Sequence, residues 1–349
     1  MTDELHMPLV TELTETSGVV GDEGPIRSII ERELADHVDQ IQVDAMGNLV
    51  ATINPEADAA VVIGAHMDEI GFMVRHIDDD GFLTLDALGG WDASTLRAQR
   101  VRVHTASGTM PGVIGAVPPH TKSDDDAKAP KLTDLRVDMG LDADRVEDTV
   151  AVGDLVSLEQ RTVVLGEYLT GKALDDRICV YALLAVAAAI EDPAVTVHLA
   201  FTVQEEVGLR GAEALGVDID PMVALALDTT VANDIPGIDS GQAVTRLGAG
   251  VALKLKDGSV VTSPAVRRQL QTIADAEEIA LQYEVLPRGG TDTARFQRTH
   301  GATPVGSLSV PTRYLHTATE VASPADVRAL IDLVVAFVTA AAPDDNYGL

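Results

Sequence analysis

Five short stretches of this sequence carry side chains able to hold a cation or move a proton. His66-Met67-Asp68-Glu69 follows a run of small apolar residues, and Lys172-Ala173-Leu174-Asp175-Asp176-Arg177 precedes a long apolar segment. Phe201-Thr202-Val203-Gln204-Glu205-Glu206-Val207-Gly208 ends an apolar run on two adjacent carboxylates. Asp228 closes another run, and His316 lies just past the last. Two imidazoles with three carboxylates and no thiolate suit zinc, cobalt or manganese. The same set suits two ions sharing a bridging carboxylate, about 3.5–4 Å apart. Neighbouring side chains on extended backbone alternate faces, so one of Glu205 and Glu206 can be a ligand and the other a base. Asp68, two residues beyond His66, is placed to accept the second imidazole N–H and fix its tautomer. Taken singly, each residue has a plainer account: His66 as a satisfied core histidine, Asp175 as a helix N-cap, Asp228 as a turn former, His316 as a surface residue. Their common place beyond the ends of strands argues for the joint account.

The elements that must position them are those of an α/β domain. Apolar runs at 59–65, 195–203, 222–227 and 302–310 read as buried strands, and 250–255 and 281–286 as further strands around a helix at 264–276. Helices are expected after Gly24-Pro25, over 176–190 and 209–215, from Gly289-Gly290-Thr291-Asp292 onward, and over 324–341. Residues 41–53 alternate as a hairpin around 45–48. Ligands in such sheets collect beyond the carboxyl ends of the strands, where the candidate residues fall. Between about 72 and 165 the pattern changes to short alternating segments separated by Gly, Asp and Pro turns, as in a small β-barrel inserted into the α/β unit. Within it, 120–134 is polar and reads as a long loop. The expected fold is therefore α/β, a mixed-sheet α/β/α domain of residues 1–71 and 166–349 with an inserted barrel-like domain at 72–165.

Composition narrows the functional classes. The chain of 349 residues carries a net charge of −30, with its acidic residues spread throughout, which sets nucleic acid and anionic membranes aside as partners. Such a chain repels itself unless salt screens it, so the balance points to a very salty cytoplasm, as in halophilic archaea. No apolar run has the length of a membrane span, and the first residues lack a signal-peptide pattern, so a cytoplasmic protein is expected. Cys179 is the only cysteine, which excludes an internal disulfide and a cysteine metal cluster. No Gly-x-x-x-x-Gly-Lys loop or Gly-x-Ser-x-Gly elbow occurs, and the basic residues are scattered.

Five segments together resemble the M42 family of metalloaminopeptidases, which includes the tetrahedral archaeal enzymes. They are Ala65 to Gly71, Gly171 to Arg177, Gln204 to Gly211, Leu227-Asp228 and Arg313 to Thr317, in family order over most of the chain. The resemblance implies two divalent metal ions per subunit, zinc first, with cobalt or manganese as alternatives. His66 and Asp228 would hold one ion, Glu206 and His316 the other, and Asp175 would bridge them. Glu205 would be the general base and Asp68 would support His66, while Gly289, Gly290, Thr291 and Asp292 resemble a segment lining the substrate pocket. The reaction implied is removal of N-terminal residues from short peptides, with a metal-bridging water deprotonated by Glu205. The inserted domain would serve a homo-oligomer, a dodecamer built from dimers. A neutral or broad residue preference is expected, because the sequence points to no cation for an acidic side chain. The rival readings are a zinc amidase or deacylase on the same scaffold, and a shell-forming or binding protein with a vestigial site. A glycosidase finds little support in a chain with one tryptophan, Trp91.

Overall fold

The computed structural model describes residues 5–121, 129–215, 219–239 and 241–348. It opens with α1 (Met7–Glu15) and α2 (Gly24–Leu34), then the hairpin β1 (Gln40–Val43) and β2 (Leu49–Ile53), then β3 (Ala60–His66). Strands β4 (Gly71–Ile77), β5 (Leu83–Leu88), β6 (Arg100–Thr105), β7 (Gly108–Ile114) and β8 (Val137–Asp138) follow. The short helix α3 (Ala143–Thr149) and β9 (Leu155–Leu158) end this section. The chain continues through β10 (Val163–Leu165), β11 (Tyr168–Gly171), the long helix α4 (Leu174–Ala189), β12 (Thr196–Thr202), α5 (Arg210–Leu215) and β13 (Val223–Val231). Then come β14 (Val251–Lys256), α6 (Pro264–Ala276), β15 (Leu281–Val285), α7 (Thr293–Phe296), β16 (Val305–Arg313), β17 (Glu320–Ala322) and α8 (Pro324–Ala340).

Two sheets account for the strands. An 11-stranded mixed sheet runs β1-β2-β12-β3-β13-β16-β17-β11-β10, with β14 and β15 branching from β16. Its centre is parallel: β12, β3, β13 and β16 lie side by side in one direction. β3 reads Ala-Val-Val-Ile-Gly-Ala-His and is buried on both faces, as a central parallel strand should be. Val61, Ile63 and Ala65 face a core shared with α1, α2, α4, α6 and α8, whereas Val62 faces a second core with α5 and α7. Helices therefore cover both faces, which is the expected α/β/α arrangement. The second sheet is a closed barrel, β4-β5-β8-β7-β6-β9, with its own core of Phe72, Val74, Leu85, Val101, Val103 and Val156.

Several local expectations need correction. β16 is not the last strand, because β17 follows His316 and pairs with both β16 and β11. β13 extends through Val231, so Asp228 sits inside a strand rather than in a turn. The helix after Asp292 is a single turn of four residues. The polar stretch 120–134 is described only at its ends, with residues 122–128 outside the described residues. No described helix is long and apolar enough to cross a membrane.

Candidate metal centre

The parallel centre of the large sheet brings its carboxyl ends to one edge, and the predicted ligands meet there. His66 ends β3, Glu205 and Glu206 follow β12, and Asp228 lies on β13. Asp175 enters from the start of α4, and His316 from the loop between β16 and β17. Three groups of ligand atoms converge within 4.8 Å of one another: His66 with Glu205 and Glu206, His66 with Asp176 and Asp228, and Asp175 with Glu206 and His316. Asp175 lies between the imidazoles, its Oδ1 3.2 Å from His66 Nε2 and its Oδ2 3.5 Å from His316 Nε2. His316 Nε2 is also 3.5 Å from Glu206 Oε2. Asp175 makes no helix cap, since the N-cap position belongs to Ala173 and carries no side-chain cap.

The turn carrying Glu205 and Glu206 is fixed from several directions. Glu205 carbonyl oxygen accepts from Gly208 N and Leu209 N, closing the turn on itself. Asn48 bridges its two ends, accepting from Val203 N and donating to Gly211 O. A Cβ on Gly211 would lie 2.4 Å from Val203 O, so only glycine lets the start of α5 approach the end of the β12 segment this closely. Asp68 completes the arrangement: one carboxylate oxygen accepts from Glu205 N at 3.0 Å and the other from Glu206 N at 3.1 Å. Its link to His66 differs from the expected one. The Asp68 backbone carbonyl lies 3.2 Å from His66 Nδ1, and the carboxylate stands 3.5 Å away. The Asp68 carboxylate thus serves the two glutamates first.

Three contributors were not given roles by the sequence. Asp176 accepts from His66 N through Oδ2, and its buried Oδ1 has no protein partner. Glu320, 2% exposed, accepts from Asp175 N and His316 N. Gly90, in the loop leaving the barrel strand β5, accepts from His316 Nδ1 at 2.8 Å, which turns Nε2 toward Asp175 and Glu206. A Cβ at Gly90 would lie 3.2 Å from that same ring nitrogen. Of the predicted pocket segment, Asp292 reaches the site, where Thr202 Oγ1 donates to it. Thr291 bonds Thr293 within the segment, while Gly289 O accepts from Gly258 N and a Cβ on Gly290 would meet Ser259, both in the loop after β14.

Electrostatics tests whether these residues suit metal ions. Burial and the Asp175 charge push Glu206 up to about 7, and burial with the same charge raises Glu320 to about 8. Burial drives Glu205 and Asp228 well above the carboxylate range, reinforced at Asp228 by Asp175 and at Glu205 by Asp228 and Glu206. Burial opposes charge on the imidazoles, yet hydrogen bonding to Asp175 lifts His316 to about 10 and His66 well above its usual value. Carboxylates packed this closely repel one another, and a divalent cation is the natural counter-charge for them. The donor set of imidazole and carboxylate oxygen fits such ions.

A helix-covered mixed sheet whose carboxyl edge gathers imidazoles and carboxylates, with a barrel inserted beside it, is an arrangement suited to metal-assisted hydrolysis. The chain belongs to the M42 family: residues 47–333 match the family described as M42 glutamyl aminopeptidase. A lysyl aminopeptidase of Pyrococcus furiosus is 34% identical over 344 residues, covering 97% of this chain and 98% of that one. The aminopeptidase APDkam598 of Desulfurococcus kamchatkensis superposes with a TM-score of 0.92 at 36% identity, over 97% of this chain and 95% of the other. The TET1 peptidase of Pyrococcus horikoshii, described as able to assemble into a tetrahedron or a large octahedral shell, gives a TM-score of 0.87 at 33% identity, over 96% and 99%.

Proposed function

We propose that the protein is a two-metal aminopeptidase that removes N-terminal residues from short peptides. The observation that carries this reading is Asp175, whose two oxygens face two imidazoles with Glu205 and Glu206 alongside. His66 and Asp228 would hold one ion and Glu206 and His316 the other, with Asp175 shared between the two sites; zinc is the first choice, cobalt and manganese the alternatives. When bound, the ions supply Lewis-acid polarisation of the amide carbonyl and make water acidic near neutral pH. Glu205 is the general base, taking a proton from the attacking water and delivering it to the leaving amine. Asp68 holds the Glu205 backbone so that its carboxylate faces the reacting atoms. Acidic groups near the site would receive the substrate α-ammonium, which makes a free N-terminus the recognition element.

A neutral or broad residue preference remains the reading. The family description says glutamyl and the Pyrococcus furiosus relative is called lysyl, so the names do not agree on a charge. The buried Lys254 is paired with Glu284, which leaves it no free charge for an acidic side chain. Residues 1–71 and 166–349 form the catalytic unit and 72–165 the assembly domain, supported by sheet membership apart from Gly71, in the barrel, and Val163–Leu165, in the large sheet. The barrel would build dimers into a dodecamer working in a salty cytoplasm.

Replacing Glu205 by Gln tests the assignment of roles. It should leave both metals bound and lower kcat by about 10²–10⁴-fold, the usual contribution of a positioned base. Undiminished turnover would remove Glu205 from the mechanism.

A further inference from the structure

We infer that Glu320 is a positioning residue that sets the separation of Asp175 and His316. This rests on the metal-centre reading above, and it concerns a residue to which that reading gives no part. Glu320 begins β17, a strand of three residues inserted between β16 and β11. Opposite it in the register stands Gly171, four residues before Asp175. On the other side Val321 pairs with Arg313, three residues before His316. The short strand therefore stitches together the two chain segments that deliver these candidate ligands.

The Glu320 side chain repeats this link at shorter range. Oε2 accepts from Asp175 N at 3.1 Å and Oε1 from His316 N at 2.9 Å. Each oxygen of one buried carboxylate thus holds the backbone of a different ligand residue. Both backbones need holding. Asp175 and Asp176 depart from helical geometry before α4 becomes regular. His316 has φ +59° and Tyr314 φ +60°, left-handed conformations that side-chain-bearing residues adopt only when their surroundings enforce them. The His316 ring is fixed separately through Gly90 O, so Glu320 and Gly90 together determine where Nε2 sits.

Charge alone does not explain the residue. A carboxylate offers an acceptor to each N–H, whereas glutamine offers one acceptor and turns an NH2 against the second donor. Glu320→Gln should therefore loosen one ligand backbone while preserving volume. Groups that orient metal ligands typically alter affinity or activity by one to two orders of magnitude when removed. A role limited to tying β17 into the sheet would change the melting temperature and nothing at the metal site.

The test titrates zinc into metal-free wild type and Glu320→Gln against a competing chelator, with melting temperature measured on both apo forms. Hydrogen exchange of the Asp175 and His316 amides in the wild type is followed in parallel. The expected result is a loss of about 10–100-fold in affinity at one of the two sites, with kcat reduced more than KM is changed. Slow exchange of both amides in the wild type is expected as well. Two metals bound by Glu320→Gln at wild-type affinity would overturn the inference. So would rapid exchange of either amide in the wild type, a measurement that stands even if the variant fails to fold. A wild type that binds no zinc would instead defeat the metal-centre reading itself.

Discussion

Replacing Asp68 by Asn isolates the group that ties the proposed base Glu205 to the candidate ligand Glu206. In the wild type each oxygen of this fully buried carboxylate accepts one backbone N–H, from Glu205 at 3.0 Å and Glu206 at 3.1 Å. Asparagine keeps a single acceptor and presents its NH2 to the other donor. A hydrogen bond to a charged acceptor contributes about 1.5–3 kcal/mol. If that loss is expressed in the placement of Glu205 or Glu206, kcat/KM falls by about 10- to 150-fold, at 1.4 kcal/mol per factor of ten. The assay is release of the N-terminal residue from a short peptide under saturating metal, with metal content measured on the same samples. Wild-type kcat/KM in Asp68→Asn would refute the reasoning. A defect fully reversed by excess metal would also refute it, pointing to His66 as the group that Asp68 serves.

Three further outcomes follow from named contacts. His316→Ala removes a candidate ligand of one ion only, so elemental analysis should find one metal retained per subunit, and two retained would contradict the ligand set. Lys254→Met leaves Glu284 buried without its partner and should destabilise the fold by about 3–5 kcal/mol in denaturant titrations. The double variant Lys254→Met with Glu284→Leu should recover most of that loss, and an unchanged single variant would show that the pair carries no such weight. With a net charge of −30, the melting temperature should climb as KCl rises toward molar concentration, where the Debye length shrinks to about 3 Å. A melting temperature indifferent to salt would argue against self-repulsion as the factor limiting stability.

The candidate ligands were legible in the sequence because burial and chemistry change abruptly at strand ends. Val61 to Ala65 is apolar and His66 is not, and Phe201 gives way to Glu205 and Glu206 within five residues. The barrel was legible in the same way, from short alternating segments and the turns between them. What escaped was whatever depends on backbone atoms or on very short elements. Gly90 acts on His316 through a carbonyl oxygen that every residue possesses, so its type gave no hint. Glu320 opens a three-residue strand, too short to display a period, so nothing in the sequence marked it. Asp68 was found, but its main partners were not, since they are backbone amides 137 and 138 residues away in sequence. The order of strands in the large sheet was equally hidden, because side-chain periodicity records which faces are buried and not which neighbours bury them.

The most direct test of the central claim is amino-acid release from one short peptide in multimolar KCl, with its N-terminus free and then acetylated, each with and without a chelator. Cleavage of the free peptide alone, abolished by the chelator and restored by zinc, cobalt or manganese, is the result expected of a metal-dependent aminopeptidase. Cleavage of the acetylated peptide, or cleavage indifferent to the chelator, would contradict the account.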